Sequence, residues 1–431
     1  PGPRGAPPPA AIAVAGLTAC LGGGTLAALV ASIAAWTPGA ILAVALAVPA
    51  LLWLAGGAAT ALVGLAPAAA PSRPPEGWRP QGRIAVLLTL CGEPPGPVAA
   101  RLSALRADLD RTALGPVAEI FVLSDTPADR AAGEARAFAP LAARGALRYR
   151  RRTRNTGRKP GNIAHWHARH GAAFDAMLVL DSDSRMTAHR IAALAWRMER
   201  SPRLGLVQAA MRLAPARTGF GRWQRTAARL LGPAFVRGFA AWTGEGGNYW
   251  GHNALIRTEA YAAAARLPHL PGRAPLGGAL LSHDFVEAAL IRRAGWQVRV
   301  DPGLQGSAEE GPQTLADFHR RDRRWCQGNL QHLRVLPWPG LAAQSRLHLA
   351  AGVLGYVAAP LWLALLLLTG SGAVPLAGWG AALAVLALLL LPKASGAALW
   401  LARARTPRRR RLVLRAALGE ATVSAMVAPI V

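Results

Sequence analysis

The sequence has few cysteines and few acidic residues. The first shortage excludes certain metal and disulfide sites, and the second indicates the kind of partner that the protein binds. The three cysteines (Cys20, Cys91 and Cys326) are far apart and form no Cys-x-x-Cys pair, which excludes a cysteine-based zinc site and a disulfide framework. Asp and Glu number 22 against 49 Lys and Arg, so the formal net charge is +27. The aromatic-basic and helix-turn-helix patterns of nucleic-acid binding are missing. We therefore predict a protein at a membrane surface, with an anionic, phosphate-bearing substrate and no nucleic-acid partner.

Long apolar runs stand at both ends of the chain. A Pro-rich segment, residues 1–9, is expected to be disordered. Two uncharged runs fill residues 10–66, and each is long enough for a membrane span, which takes roughly 20 residues. A signal peptide is the alternative for the first run, but the run is long for one and a second span follows directly. We predict two transmembrane helices there, followed by a Pro-rich linker over residues 67–82.

Apolar runs return over residues 341–431, where we predict about three transmembrane helices with a basic loop over residues 401–411. Basic residues mark the cytoplasmic side of a membrane protein, so this loop and the arginine-rich middle of the chain are both expected in the cytoplasm. The chain starts without Met and stops inside an apolar run, and we expect it to be a fragment of a longer protein.

The middle of the chain, residues 83–340, has the composition of a soluble domain. Strand-like runs alternate with helical ones, starting with Ile84–Leu90 and Glu119–Leu123. Such alternation predicts an α/β fold with a parallel, Rossmann-like sheet. We therefore predict a cytoplasmic α/β domain inserted between transmembrane helices, with helices at its C-terminal end lying at the membrane interface.

Carboxylates follow two of the predicted strands. Met177–Leu180 is apolar and ends in Asp181 and Asp183, and Asp125 stands just past another strand. Ligands of open α/β sheets bind beyond the carboxyl ends of the strands. Hard carboxylate oxygens suit Mg²⁺ or Mn²⁺, which are commonly shared with substrate phosphates. An Asp-x-Asp pair alone is a weak signal, because acidic pairs are common in solvated turns.

Other polar clusters allow two interpretations each. Lys159 ends a basic run that starts at Arg150, and Asn162 follows it; both stand at a predicted helix start, which suits an anion, although most arginines of the run suit a solvated loop. Trp250 and His252 belong to an aromatic and polar cluster that suits a sugar about as well as it suits ordinary packing. Asp284 stands in the first turn of a predicted helix, where capping alone could explain it.

A last cluster combines arginines with a tryptophan. Arg321 and Arg324 are three residues apart on a predicted helix, and Trp325 follows them. Paired guanidinium groups beside an indole ring suit a pyrophosphate and a sugar. The histidines at 165, 167 and 170 have no carboxylate or cysteine to complete a tetrahedral set, so a metal site there is not expected.

In order, these elements are Asp125, Asp181-Ser-Asp183, Ser282-His-Asp284 and Arg321-Asp-Arg-Arg324-Trp325. The order resembles the D, DxD, TED and QxxRW motifs of processive family 2 glycosyltransferases, the group of cellulose and hyaluronan synthases. Further stretches resemble more closely the glucosyltransferase H family of bacterial osmoregulated periplasmic glucan synthesis: Gly157-Arg-Lys-Pro-Gly-Asn162, Tyr249-Trp-Gly-His-Asn253 and Arg292-Arg-Ala-Gly-Trp296. Ser-His-Asp in place of Thr-Glu-Asp and Arg321 in place of Gln depart from the general motifs, and both look like variations of this family.

The resemblance implies a transferase domain of the glycosyltransferase A type, UDP-glucose as the donor and Mg²⁺ or Mn²⁺ as the cofactor. It gives Asp284 the role of general base, and it assigns the metal to Asp183 with Asp181. The implied donor residues are Asp125, Lys159, Asn162, Asp181, Arg321 and Arg324. The implied acceptor residues are Trp325, Trp250 and His252.

The product implied is the β-1,2-linked backbone of a periplasmic glucan, made at the bacterial inner membrane and passed across the lipid bilayer. An acyl carrier protein and a periplasmic glucan-processing protein are the further partners that the resemblance implies. Two alternatives stay open: a non-processive transferase acting on a lipid-linked acceptor, and an inactive regulatory membrane protein. The intact acidic set counts against the second alternative.

Overall fold

The computed structural model describes residues 8–67, 73–264 and 267–427. Residues 1–7 of the predicted disordered segment and residues 68–72 of the predicted linker lie outside the described residues. The strands are β1 (Ile84–Leu90), β2 (Ala118–Ser124), β3 (Arg148–Arg151), β4 (Ala176–Leu180), β5 (Arg185–Met186), β6 (Leu204–Ala209), β7 (Arg212–Leu213), β8 (Ala254–Arg257), β9 (Gln297–Asp301) and β10 (Ser307–Glu309).

Seven strands form the central sheet in the order β3-β2-β1-β4-β8-β6-β9. The pairs β1–β2, β2–β3, β1–β4 and β6–β9 are parallel, as predicted, but β8 runs antiparallel to both β4 and β6. The expectation of an all-parallel sheet is therefore wrong at β8. Its first residues pair with the end of β4, since the Asn253 N–H donates to the Val179 carbonyl at 2.7 Å. The loop before β8 is thereby placed at the carboxyl edge of the sheet.

Helices cover both faces of the sheet. The helices are α1 (Pro9–Ala31), α2 (Pro38–Val63), α3 (Pro95–Asp110), α4 (Ala128–Ala143), α5 (Arg158–His170), α6 (Ala188–Glu199), α7 (Gly219–Thr243), α8 (Thr258–Ala264), α9 (His283–Arg293), α10 (Leu315–Leu330), α11 (His332–Val335), α12 (Ala343–Gly370), α13 (Gly380–Arg403) and α14 (Pro407–Val427). One apolar core joins the sheet to α3, α4 and α6, and a second joins it to α5, α8 and α9. The central strands β1 and β4 are buried almost throughout, and their sequences are accordingly almost unbroken apolar runs.

Four helices of the described residues are long and apolar enough to cross a membrane: α1, α2, α12 and α13. The helix α14, which overlaps the third predicted span of the C-terminal region, is not among them. The predicted basic loop 401–411 is largely helical, because α13 continues to Arg403 and α14 begins at Pro407. Proline suits the first turn of a helix, and the Thr406 hydroxyl accepts the Arg409 N–H at 3.3 Å, so the arginine run starts a helix.

Two helices connect the α/β domain to the apolar ones. Gly238 of α7 lies against the Thr60 backbone of α2, and Gly396 of α13 lies against Leu230 of α7. The helix α10 packs on α12, where the Tyr356 hydroxyl donates to Asp322 at 3.1 Å. Two helices of the domain, α10 near its C-terminal end and α7 from the middle of the chain, therefore pack on apolar helices, and a position at the membrane interface stays a prediction.

A candidate active site at the carboxyl edge of the sheet

The acidic turn after β4 is held from three directions. The Asp181 backbone N–H donates to the Ser184 hydroxyl at 3.0 Å, and Thr89 of β1 donates to the Asp181 carboxylate at 3.4 Å. The Lys159 ammonium of α5 contacts the same carboxylate and also donates to the Gly251 carbonyl at 2.7 Å. Burial alone would raise the pKa of Asp181, but the charge of Lys159 lowers it overall. The carboxylate of Asp181 is therefore ionised at neutral pH.

Asp183 differs from Asp181 in its surroundings. It is half-buried, and among the described residues no side chain donates a hydrogen bond to its carboxylate. Burial and the neighbouring charge of Asp181 raise the pKa of Asp183. Two crowded carboxylates fit a divalent cation, because the cation removes their repulsion. The described residues hold no group of three or more His, Cys, Asp or Glu side chains that could ligate a metal alone, so further ligands would come from substrate phosphates.

His252 belongs to a chain of hydrogen bonds behind the acidic turn. Its Nδ1 lies 3.1 Å from the Ser184 hydroxyl, and its Nε2 lies 3.1 Å from the Glu309 carboxylate. Because a carboxylate only accepts hydrogen bonds, Nε2–H donates to Glu309, while the direction of the bond between Nδ1 and Ser184 follows the protonation of the ring. Burial opposes protonation, but the bond to Glu309 and the charge of Asp181 raise the pKa of His252. Because His252 is buried behind the acidic turn, its position favours a role in supporting that turn. The sequence predicts a different role for it, a contact with the acceptor.

Asp284 faces the acidic turn across a glycine. It stands in the first turn of α9, and its Oδ2 lies 3.6 Å from the position that a Cβ on Gly251 would take. Gly251 has φ +90, a conformation that favours glycine, and its carbonyl holds Lys159. Burial raises the pKa of Asp284. The structure thus brings together Asp284, Lys159 and Asp181, three side chains that the sequence predicts for one site.

The start of α9 is held by α10 and α11 rather than by its own cap. The hydroxyl of Ser282, the N-cap residue, makes no capping bond. Instead the Ser282 carbonyl lies 3.0 Å from His332 Nε2, and Gln331 accepts the Leu281 N–H at 3.0 Å. His283 lies 3.2 Å from the buried carboxylate of Glu287. No side-chain cap therefore closes this helix start, and contacts from α11 and from Gln331 hold it instead.

Asp125 is engaged by a residue that the sequence did not single out. Both of its oxygens accept from Arg152, each at 2.7 Å, and the pair is almost fully buried. Arg152 also donates to the carbonyls of Thr156 and Arg158, so the ion pair shapes the loop that enters α5. A contact from Asp125 to a nucleotide stays a prediction.

Asn162 is also tied to an arginine of the basic run. It is buried, and its side-chain oxygen accepts from Arg150, while its Nδ2 is buried and has no partner among the described residues. The interpretation of this run as a solvated loop is wrong for Arg150 and Arg152. Their partners come from other elements, and no local pattern in the sequence marks them.

The three residues predicted on α10 take different positions. The Arg321 guanidinium lies 4.4 Å from the centre of the Trp325 ring, and Trp325 is 42% exposed. Burial lowers the pKa of Arg321, whereas the negative charges of Glu309 and Asp183 raise it. Because these carboxylates are close enough to act on Arg321, its guanidinium lies on the side of the acidic turn. Arg324 is exposed and makes no ion pair among the described residues. Trp250 is half-buried against Phe239, with ring centres 6.2 Å apart.

Comparisons with known proteins show the family of this chain. The family model "Glycosyl transferase family group 2" matches residues 176–393, about half of the chain. The chain is 50% identical over 287 residues to a glucans biosynthesis glucosyltransferase H of Rhodopseudomonas palustris, covering 66% of this chain and 40% of that protein. It is 47% identical over 290 residues to the protein of that name from Vibrio cholerae, with the same coverage. The chain thus spans about 40% of the length of the relatives it matches.

A solved structure shares the fold. The mannosyltransferase PcManGT from Pyrobaculum calidifontis, in complex with GDP-Man and Mn²⁺, aligns with a TM-score of 0.54 and 17% identity. The alignment covers 90% of this chain and 98% of that one. It therefore includes apolar helices of this chain as well as the α/β domain.

Proposed function

This chain belongs to glycosyl transferase family group 2, with an α/β domain of the glycosyltransferase A type between apolar helices, and we propose that it is an inverting glucosyltransferase that uses UDP-glucose. The observation that carries the proposal is the approach of Asp284 to Asp181 and Lys159 across Gly251. In this arrangement Asp284 can take a proton, while the neighbouring pair Asp181 and Asp183 can hold the diphosphate through a cation. The relatives named glucans biosynthesis glucosyltransferase H support glucose as the sugar and a glucan as the acceptor.

The donor would lie over the acidic turn. Asp183 and Asp181 would hold Mg²⁺ or Mn²⁺, which supplies positive charge to the departing diphosphate. Lys159 and Arg321 add positive charge on the same side of the site. Asp125 would hold the uridine end of the donor, beside a loop and a helix start that Arg152 and Arg150 tie to Asp125 and Asn162.

The proposed chemistry is a single displacement. A hydroxyl of the acceptor glucan loses its proton to the Asp284 carboxylate while its oxygen bonds to the anomeric carbon of the donor glucose. The bond from that carbon to the β-phosphate-linked oxygen of UDP breaks, and UDP leaves with the electron pair. Attack opposite the leaving group converts an α-linked donor into a β-linked product. Asp284 is suited to this role because its raised pKa makes it a better proton acceptor than an ordinary aspartate.

The acceptor would meet the protein at Trp325 and Trp250. Trp325 offers an exposed indole face on α10, beside the helix α12. We propose that the product is a β-1,2-linked glucan, extended processively and passed between the apolar helices of an inner-membrane protein whose α/β domain is cytoplasmic. An acyl carrier protein and a periplasmic glucan-processing protein are the partners proposed for the complete system.

Asp284→Asn tests the assignment of the base. In lipid bilayers with radiolabelled UDP-glucose and Mg²⁺, we expect glucose transfer to fall by about 10²–10⁴, because amide cannot accept the proton. Binding of UDP-glucose, followed by equilibrium dialysis, should stay near the wild-type value. Asp129→Asn is the matched control, since Asp129 also stands in the first turn of a helix, α4, but is exposed. A folded Asp284→Asn protein with normal turnover would remove Asp284 from the mechanism.

A further inference from the structure

Two segments of the chain carry many arginines and no acidic residue. Residues 200–244 contain eight Arg, and residues 394–419 contain seven, with no Asp or Glu in either segment. The first segment includes α7, and the second includes the end of α13 and the start of α14. The proposed chemistry uses none of these arginines.

The fold brings the two segments into contact. The Trp400 indole N–H donates to the Arg229 carbonyl at 2.8 Å, and the Arg229 guanidinium lies 5.9 Å from the centre of the Trp400 ring. Burial and the charge of Arg403 lower the pKa of Arg237, which places these two arginines close together. None of the three arginines forms an ion pair within the part of the chain that the structure describes. Like charges are therefore held side by side without a protein counter-charge.

This basic surface lies where α7 crosses the ends of two apolar helices. Gly238 of α7 contacts α2 near its last turn, and Leu230 contacts Gly396 near the end of α13. Phe235 of α7 is 41% exposed. Arg408 to Arg411, in the first turn of α14, are exposed as well. An amphipathic helix with arginines and exposed aromatic side chains at the ends of apolar helices is typical of a membrane interface.

We propose that the arginines of α7, α13 and α14 form a binding surface for the headgroups of anionic phospholipids, and that these lipids raise turnover by seating α7. The named members of this lipid surface are Arg229, Arg237, Arg403, Arg408, Arg409 and Arg411. Juxtamembrane arginines attract acidic headgroups with about 1 kcal/mol each. The position of the surface at the ends of apolar helices selects a lipid over a soluble anion, because a phospholipid presents its phosphate at that depth.

Both ends of α7 lead to the candidate active site. The strand β7, which comes before α7, pairs with β10 so that Leu213 lies opposite Glu309, the partner of His252. The loop that comes after α7 leads to Gly251, which holds Lys159. Phe239 of α7 contacts Trp250 in that loop. A shift of α7 would therefore reach the acidic turn from both sides. The effect on turnover rests on the proposed function, whereas lipid binding does not.

Lipid binding is tested without turnover. The protein is placed in phosphatidylcholine bilayers that contain a trace of spin-labelled phosphatidylglycerol or of spin-labelled phosphatidylcholine, and the immobilised fraction is read by electron paramagnetic resonance. We expect a larger immobilised fraction for phosphatidylglycerol, lost in high salt because screening weakens the attraction. The variant Arg408→Gln/Arg409→Gln/Arg411→Gln should reduce the preference for phosphatidylglycerol over phosphatidylcholine by about fivefold or more. A factor of about five corresponds to the attraction of one arginine to an anionic headgroup. The control is Arg111→Gln/Arg136→Gln/Arg144→Gln, which changes exposed arginines of the α/β domain.

Turnover gives the second readout. Glucose transfer should rise about fivefold or more when phosphatidylglycerol replaces part of the phosphatidylcholine, and the triple variant of α14 should lose this rise while keeping its basal rate. Equal immobilisation of the two lipids by the wild-type protein would overturn the proposal, whatever the transferase assay shows. So would activation by soluble glycerol phosphate in pure phosphatidylcholine, because the surface would then recognise a free anion. A protein that selects phosphatidylglycerol but transfers no glucose would keep the lipid surface and contradict the proposed function instead.

Discussion

At the scale of single residues, the acidic turn depends on side chains that the sequence places far from it. Lys159 comes from α5, Glu309 from β10 and His252 from the loop before β8. Lys159 is the most direct of these supports, since it is the cation in contact with Asp181. Removal of one partner from a buried charge pair leaves the other charge uncompensated.

Lys159→Gln should therefore lower kcat/KM for UDP-glucose by about 10²–10⁴, the factor that corresponds to roughly 3–5 kcal/mol. Arg158→Gln is the matched control, because Arg158 is the neighbouring residue and its side chain is exposed. Steady-state kinetics of the two variants in the same bilayers give the comparison. Equal losses in both variants would mean that general positive charge, rather than the contact with Asp181, matters here.

If Asp284 is the general base, the pH profile of kcat/KM should fall on its acidic side. As the proposed base, Asp284 would act in its ionised form, so activity should be present above its raised pKa and be lost as pH falls through that value. The groups that face it are His283, Glu287 and His332; the two histidines lower the pKa of Asp284, and Glu287 raises it. His283→Gln removes a positive charge and should move the acidic limb of kcat/KM to higher pH. The exposed His319, changed to Gln, is the control, and a limb that stays in place in His283→Gln would contradict the assignment.

At the scale of the elements, the contact between α7 and α2 depends on glycine. A Cβ on Gly238 would overlap the Thr60 carbonyl oxygen and crowd the Gly64 nitrogen, which are backbone atoms that cannot turn away. Gly232, on the same helix, has no heavy atom within 4 Å of the position of an added Cβ. A substitution to Ala therefore tests close packing at Gly238 and helix propensity alone at Gly232.

Gly238→Ala should destabilise the protein by about 1–3 kcal/mol, as overpacking commonly does. Gly232→Ala should be neutral or stabilising by up to about 1 kcal/mol, because alanine favours helix. Thermal unfolding in detergent, followed by tryptophan fluorescence, measures both changes. If Gly238→Ala unfolds at the wild-type temperature, then α7 does not pack on α2 as the structure places it.

Elements with a strong local pattern could be predicted from the sequence, and long-range partners could not. The strand Ile84–Leu90 and the carboxylates after Leu180 follow from apolar runs and polar stops. The reversal of β8 has no local signal, because a short apolar strand has the same pattern in either direction. The burial of Arg152 against Asp125 was equally hidden, since a basic run is usually solvated and only the fold brings the partners together.

At the scale of the whole molecule, the arginines predict the orientation in the membrane. The α/β domain and the arginines of α14 are expected on the cytoplasmic side, and the turn between α12 and α13 on the opposite side. Cys91 is exposed in the α/β domain, and Ser371 is exposed in that turn. Their labelling by a membrane-impermeant maleimide distinguishes the two sides.

Cys91 should be labelled in inverted inner-membrane vesicles and protected in intact spheroplasts. A Ser371→Cys substitution in a background without Cys20, Cys91 and Cys326 should give the reverse result, which controls for reagent access. Labelling of Cys91 in intact spheroplasts would place the candidate site outside the cytoplasm, where UDP-glucose is not expected.

The central claim is that this chain transfers glucose from UDP-glucose with inversion. The most direct test follows UDP-glucose labelled with ¹³C at the anomeric carbon, incubated with the protein in bilayers containing phosphatidylglycerol and Mg²⁺, by nuclear magnetic resonance. We predict that the label moves from an α-linked donor signal to a β-linked glucan signal, and that no glucan signal forms in EDTA. A product that keeps the α configuration, or label that stays in the donor while the protein is folded and metal is present, would contradict the account.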